Sequence, residues 1–203
     1  MKIICIGRNY VNHAKELNNP VPKEPVFFMK PDTALLPKSN PFVYPSFSKD
    51  VHYEVEIVVK INRLGKHIEE KFAHKYYNEV GVGVDFTARD VQQHCKEKGL
   101  PWEKAKAFDG SAPTSQFVSI SEYKDINDLN FSIQINGETR QAGNTKNMIF
   151  NINQLIAYVS QFTTLKIGDL IYTGTPEGVG PIHINDKVEC FIEDKKLLQF
   201  NVK

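Results

Sequence analysis

Two glutamates separated by one residue, in Glu54-Val55-Glu56, stand where the chain reads as a strand. Side chains alternate faces along a strand, so both carboxylates project to one side with Cα atoms about 6–7 Å apart, while Val55 and Ile57 face a core. Two like charges on one face repel, and one pKa rises unless a cation sits between them. Asp85 closes an otherwise apolar run, Val80-Gly81-Val82-Gly83-Val84-Asp85-Phe86. A lone carboxylate is costly to bury there without a partner. An all-oxygen trio of Glu54, Glu56 and Asp85 suits Mg2+ or Mn2+, with water and an oxygen-rich substrate in the remaining positions. Zinc would favour His or Cys, which this set lacks. Spacing permits such a site without requiring it, because a solvated strand face with unrelated acids uses the same residues.

His13 and Glu16 are neighbours if their segment is helical, at i and i+3. A carboxylate against an imidazole orients it and raises its basicity, as a water-activating base needs. Lys106 lies in an apolar-flanked stretch, Trp102-Glu103-Lys104-Ala105-Lys106-Ala107-Phe108, and can face a pocket. The run Thr173-Gly174-Thr175-Pro176-Glu177-Gly178-Val179-Gly180-Pro181 reads as a rigid loop. Its N–H groups and threonine hydroxyls suit gripping a carboxylate. Its spacing is neither that of a P-loop nor that of a dinucleotide fingerprint.

The elements that must position these groups are mostly strands. Residues 52–61 and 79–86 read as two strands, the glycines of the second permitting close approach of something packed on it. Thr87 and Asp90 resemble a capping box that opens a helix running through Cys95 to a stop at Gly99. Phe131–Ile135, Asn136-Gly137 and Glu138–Arg140 form a two-residue hairpin. Met148–Gln161 has helical apolar spacing, and strands follow at Asp169–Tyr172, Lys187–Ile192 and Lys196–Val202. Seven of the 11 prolines fall between Pro20 and Pro45. That predicts extended segments and turns there, as a surface wrap or as a border of the active site. Strands outnumber helices without regular alternation, so the expected class is mixed α/β and β-rich, with a few short peripheral helices, and not a doubly wound sheet.

Composition bounds the function. A chain of 203 residues and 23.1 kDa is expected to form one domain over 1–203. Surface scaling gives it roughly 9700 Å² of folded surface. Lys and Arg number 25 against 24 Asp and Glu. That balance gives no overall field for nucleic acid or an anionic membrane. Clustered basic residues are lacking too, which argues against a metal-dependent nuclease. Three scattered cysteines, Cys5, Cys95 and Cys190, read as reduced thiols. No apolar run approaches a membrane span or a signal peptide. The expectation is a soluble cytoplasmic protein.

The motifs also occur as an ordered set: Gly7-Arg8-Asn9-Tyr10 with His13 and Glu16, the Glu54-Val55-Glu56 strand, and Asp85 with Thr87 to Gln92. Lys98-Gly99-Leu100-Pro101-Trp102, Lys106-Ala107-Phe108-Asp109 and Thr173 to Gly180 complete it. In this set the chain resembles the fumarylacetoacetate hydrolase family over essentially its whole length. It is most similar to the compact single-domain branch of acylpyruvate hydrolases and oxaloacetate decarboxylases or tautomerases. The resemblance implies a mixed β-sandwich roll, a homodimer, and Mg2+ or Mn2+ held by Glu54, Glu56 and Asp85. It implies that His13 and Glu16 activate water from an N-terminal lid, about residues 8–25, and that Lys106 stabilises enolate charge. Arg8, Arg89, Gln92 and Thr175 correspond to positions around a bound α-keto acid. The family's longer members carry an extra N-terminal domain, so smaller substrates than fumarylacetoacetate are expected. The alternatives are an isomerase of an unsaturated dicarboxylate of the 2-hydroxyhepta-2,4-diene-1,7-dioate type and a non-catalytic α-keto acid binding module.

Overall fold

The computed structural model describes residues 1–16, 20–37 and 40–203. The chain begins with β1 (Ile3–Gly7), α1 (Val11–Glu16), β2 (Val26–Lys30), β3 (Val51–Tyr53) and β4 (Val55–Ile61). Next come α2 (Glu70–Ala73), β5 (Tyr77–Val84), β6 (Thr87–Ala88), α3 (Arg89–Lys98), α4 (Glu103–Lys106) and β7 (Val118–Ser119). It ends with β8 (Asn130–Ile135), β9 (Glu138–Asn144), α5 (Ile152–Phe162), β10 (Leu170–Tyr172), β11 (Gly180–Pro181), β12 (Lys187–Ile192) and β13 (Lys195–Asn201). The sheets are β2-β1-β10-β4-β5-β7, β11-β3-β6 and β13-β12-β8-β9. This is the β-rich mixed α/β class that the strand pattern predicts, and its accessible surface is 9782 Å².

The antiparallel pair β4–β5 lies at the centre of the largest sheet, with Val55 opposite Val84 and Glu56 opposite Gly83. Val55, Ile57, Val59 and Ile61 pack into the main core, as alternation requires. Val58, on the other face, joins Ile3, Cys5, Leu170 and Tyr172 in a smaller cluster. Gly83 lets the Tyr172 ring approach closely, since a Cβ there would sit 2.7 Å from the ring.

The run 52–61, expected as one strand, is two. The chain leaves the small sheet after Tyr53 and enters the large one at Val55, so Glu54 sits at the break. β5 stops at the matching point, and the Asp85 N–H donates to the Glu54 carbonyl at 2.8 Å. Two carboxylate-bearing residues are thus pinned back to back where two sheets diverge.

The expected capping box at α3 does not form. Thr87 is committed to β6, where it pairs with His52, and Ala88 occupies the cap position without a side-chain bond. Asp90 instead accepts from Ser48 Oγ at 2.7 Å, the Lys49 N–H at 2.9 Å and the Val91 N–H at 2.8 Å, fastening α3 to the segment before β3. The helix stops at Gly99, at φ +63°, as expected. α5 starts later than the apolar period suggests, because Asn151 and Gln154 form a capping box. The residues before it are held elsewhere: the Ile149 N–H donates to the Asn9 carbonyl. In the hairpin turn, Asn136 has φ 55° and Gly137 has φ 83°. Both are positive, as an Asn-Gly turn of two residues demands. The proline-rich stretch contributes an unexpected strand, β2, antiparallel to β1, and that strand borders the cleft described below. Of the expected lid, residues 17–19 lie outside the described residues.

Asp169 secures the start of β1 to β10. It accepts from the N–H groups of Lys2 and Lys166, both at 2.8 Å, and pairs with the Lys2 ammonium. Burial raises its carboxyl, but those donors outweigh burial and hold its pKa below the ordinary value. A carboxylate with a depressed folded pKa stabilises above the unfolded pKa of about 4 and loses that contribution as pH falls through the folded value. Asp169→Ala should therefore cost about 2 kcal/mol near neutrality. Denaturant unfolding at stepped pH should show the gap from wild type closing towards about pH 3.

Candidate active site

The backbone arrangement at the Glu54 break gathers the predicted trio. One oxygen from each of Glu54, Glu56 and Asp85 lies within 4.8 Å of the others, and all three residues are buried. Four donors or cations meet them. Lys106 Nζ donates to Glu54 Oε2 at 2.9 Å and to Asp85 Oδ2 at 2.8 Å. Arg89 donates to Glu54 Oε1 at 2.6 Å, and Lys30 Nζ lies 2.7 Å from Asp85 Oδ1. The Gly174 N–H donates to Glu56 Oε2 at 2.7 Å.

The carboxyls respond differently. Burial raises Glu54, but Lys106, Arg89 and His13 together hold it well below the usual carboxylate range. Glu56 is pushed well above its ordinary value by burial, then by Asp85 and Glu54, which the Gly174 N–H and Lys106 only partly offset. Burial lowers Lys106, yet Asp85 and Glu54 keep its pKa raised, so it stays an ammonium. Asp85 Oδ1 is buried against the Lys30 ammonium and has no other partner. Converging carboxylate oxygens in an all-oxygen donor set, one of them on a carboxyl that has no cation of its own, fit a hard divalent cation. The lysines do not exclude it, since each carboxylate oxygen offers two lone pairs.

The second expected pair also meets. His13 Nδ1 lies 3.2 Å from Glu16 Oε2, with the imidazole buried and Glu16 partly exposed. Two residues ahead of α1, buried Asn9 helps fix their position: it donates through Nδ2 to the carbonyls of Phe150 at 3.0 Å and Thr173 at 2.8 Å. Its Oδ1 accepts the Phe150 N–H at 2.9 Å.

The loop after β10 behaves otherwise than expected. Its donors grip the protein's own chain rather than standing open for a substrate carboxylate. Gly174 N–H holds Glu56 and Gly178 N–H holds Glu16 Oε1 at 3.1 Å. Gly174 has φ +100°, and a Cβ there would lie 2.7 Å from the Asn9 Cβ. Only glycine suits that position. Thr175 lines the cleft, but its hydroxyl donates to the Val55 carbonyl at 2.8 Å and accepts from Gln141 Nε2 at 2.8 Å. Its proton is therefore engaged by the frame.

The remaining predicted residues, Arg8, Arg89, Gln92 and Lys106, line the same cleft. Arg89 also donates to Gln92 Oε1 at 2.8 Å. That leaves the Gln92 NH2 as the side chain's donor end. Three residues were not anticipated. Lys30 ends β2, a strand hidden among prolines, and donates to the Ser111 carbonyl at 2.7 Å. Gln141, on β9, also accepts the Val55 N–H at 2.9 Å and so links the loop to β4. Lys96 could have been found by helical spacing, since it follows Gln92 by four residues on α3.

A family model described as fumarylacetoacetate (FAA) hydrolase C-terminal matches residues 2–203. The chain is 46% identical over 201 residues to a Mus musculus protein named oxaloacetate tautomerase FAHD1, mitochondrial, a match covering 99% of this chain and 91% of the relative. It is 46% identical over 197 residues to oxaloacetate tautomerase YcgM of Escherichia coli (strain K12), covering 97% of this chain and 90% of the relative. Among solved structures, fumarylpyruvate hydrolase from Pseudomonas aeruginosa, in complex with Mn2+ and pyruvate, superposes with a TM-score of 0.93 at 35% identity. That match covers 100% of this chain and 89% of the other.

Glu56→Gln tests the trio directly. It keeps an oxygen for the Gly174 N–H while removing the unmatched charge, so the melting temperature without added metal should equal or exceed that of the wild type. A divalent ion at about 100 times its Kd should stabilise the wild type by about 2.7 kcal/mol, and most of that gain should vanish in Glu56→Gln. Thermal melts with and without Mg2+ or Mn2+ read both outcomes; an undiminished shift in the variant contradicts the assignment.

Proposed function

Because the chain belongs to the fumarylacetoacetate hydrolase family, we propose that it is a divalent-metal-dependent enzyme that cleaves or tautomerises small α-keto acids. Oxaloacetate tautomerisation, oxaloacetate decarboxylation and acylpyruvate hydrolysis are its reaction classes, all passing through an enolate. The observation that supports this most is the meeting, in one cleft, of three buried carboxylates, a buried lysine and a histidine–glutamate pair.

Glu54, Glu56 and Asp85 would hold the ion, with Mg2+ or Mn2+ as the proposed identity. When bound it supplies Lewis acidity towards the 2-oxo acid group. The chain's own residues do the rest. Arg89 and the Gln92 NH2 bind and orient the substrate carboxylate, and Arg8 adds positive charge at the same cleft. Lys106 spends two of its three N–H donors on Glu54 and Asp85. That aims the ammonium and leaves one donor for the developing enolate oxygen. Val26, Phe28 and Trp102 line the cleft and limit water there. With His13 Nδ1–H donated to Glu16, Nε2 is the base. In hydrolysis it takes the proton of the attacking water; in tautomerisation it takes the proton beside the 2-oxo carbon. Decarboxylation needs no such base, because carbon dioxide leaves without one.

The proposed organisation is one catalytic domain over 1–203, with segment 8–25 as the lid that brings His13 to the substrate. Asn9 holds the start of that segment and Gly178 holds Glu16 at the end of α1, beside the cleft. A homodimer is the proposed assembly, and exposed Val43 and Phe47 offer apolar surface for a second copy to cover. The proposed compartment is the cytoplasm, and the three buried, unpaired cysteines fit a reducing environment. No described helix is long and apolar enough to cross a membrane.

A general base contributes about 10²–10⁴-fold. His13→Ala should therefore reduce acylpyruvate hydrolysis by about 100-fold or more while lowering oxaloacetate decarboxylation by less than about tenfold. Steady-state assays of both reactions with Mg2+, and with chelator as control, decide it. Equal losses would refute the assignment of His13 as base, and full activity in chelator would refute the metal requirement.

A further inference from the structure

The cleft has an acidic floor and a basic mouth. Arg89, Gln92 and Lys96 fall on one face of α3, at i, i+3 and i+7, and all three line the cleft. Arg8 reaches it from the end of β1, held at φ 60°. That left-handed conformation is one a non-glycine residue rarely adopts, and it is concentrated at functional sites. The lining thus carries four lysine and arginine cations against three carboxylates.

These cations are not equivalent. Lys106 and Arg89 are paired with the acidic floor. Among the described residues, neither Lys96 nor Arg8 has a carboxylate within 4.0 Å. Lys96 does not simply trail into solvent either, since its Nζ stands 5.9 Å from the ring centre of Trp102, another lining residue. Partial burial first, then the positive charges of Arg89 and Arg8, lower its proton affinity, with Glu54 opposing them. Two cations without a paired carboxylate, beside a floor that would hold a dication, leave the cleft short of negative charge. A single substrate carboxylate, already served by Arg89 and Gln92, leaves that deficit in place.

We propose that Lys96, assisted by Arg8, binds the second carboxylate of a dianionic 2-oxo acid. This makes the enzyme selective for 2-oxo dicarboxylates over 2-oxo acids that end in a neutral acyl group. The assignment rests on the reading of the cleft as an α-keto acid site. The 2-oxo acid end lies against the trio and Lys106, and the distal carboxylate points to the mouth, where Lys96 and Arg8 supply the matching charge.

The test compares kcat/KM for oxaloacetate with that for acetylpyruvate, in the presence of Mg2+, for the wild type, Lys96→Met and Lys96→Arg. Position 96 is exposed on a helix, and thermal melting checks that each variant is folded. The oxaloacetate-to-acetylpyruvate ratio should fall about tenfold or more in Lys96→Met, chiefly through KM for oxaloacetate. It should stay within about twofold of wild type in Lys96→Arg, because the charge is kept. Added salt should raise KM for oxaloacetate more steeply in the wild type than in Lys96→Met. A wild type active on both substrates, with a ratio unchanged in Lys96→Met, overturns this assignment alone. A wild type that turns over neither substrate overturns the α-keto acid reading and the assignment with it.

Discussion

Three carboxylates buried around one point repel one another, and the rest of the structure answers that repulsion. Each buried ion costs several kcal/mol in desolvation, a penalty offset only by close, well-aligned partners. Lys106, Lys30 and Arg89 supply three positive charges and Gly174 supplies an N–H. They suffice for Glu54, whose carboxyl is held well down, and do not suffice for Glu56, whose carboxyl is pushed well up. Natural proteins rarely retain such an imbalance in a core, where an apolar residue would fit at lower cost. A divalent cation resolves it and gives the imbalance a use.

The same constraint explains the local architecture. A single straight strand through residues 51–61 would keep Glu54 inside one sheet. Breaking at Glu54 lets its carbonyl take the Asp85 N–H and turns both side chains towards Glu56. The loop after β10 then ties the trio to α1: Gly174 holds Glu56, Gly178 holds Glu16, and the Thr173 carbonyl receives Asn9. The acidic floor and the His13–Glu16 pair are therefore attached to one stretch of backbone. A shift in that loop would move both together.

Much of this was legible in the residues. Alternation placed Glu54 and Glu56 on one side and Val55 and Ile57 in the core, and the i, i+3 spacing brought His13 to Glu16. The hairpin at Asn136-Gly137 and the stop at Gly99 followed from turn chemistry. What was hidden depended on pairing distant in sequence. Thr87 looked like a helix cap, but its backbone is committed to β3 across a gap of 35 residues, so Asp90 turned instead to Ser48 and Lys49. The threonine hydroxyls of the loop donate their protons to the β4 carbonyls of Val55 and Ile57, a pairing that only the folded sheet reveals. Lys30 gave no local signal, because its role comes from β2 pairing with β1 and bringing its ammonium to Asp85.

The most direct test of the central claim is anomalous diffraction from crystals grown with Mn2+. One strong peak should lie about 2.0–2.3 Å from an oxygen of each of Glu54, Glu56 and Asp85, with Lys106 still within hydrogen-bonding reach of Glu54 or Asp85. A peak that omits Glu56, or an ion bound elsewhere while Lys106 alone bridges Glu54 and Asp85, would contradict it.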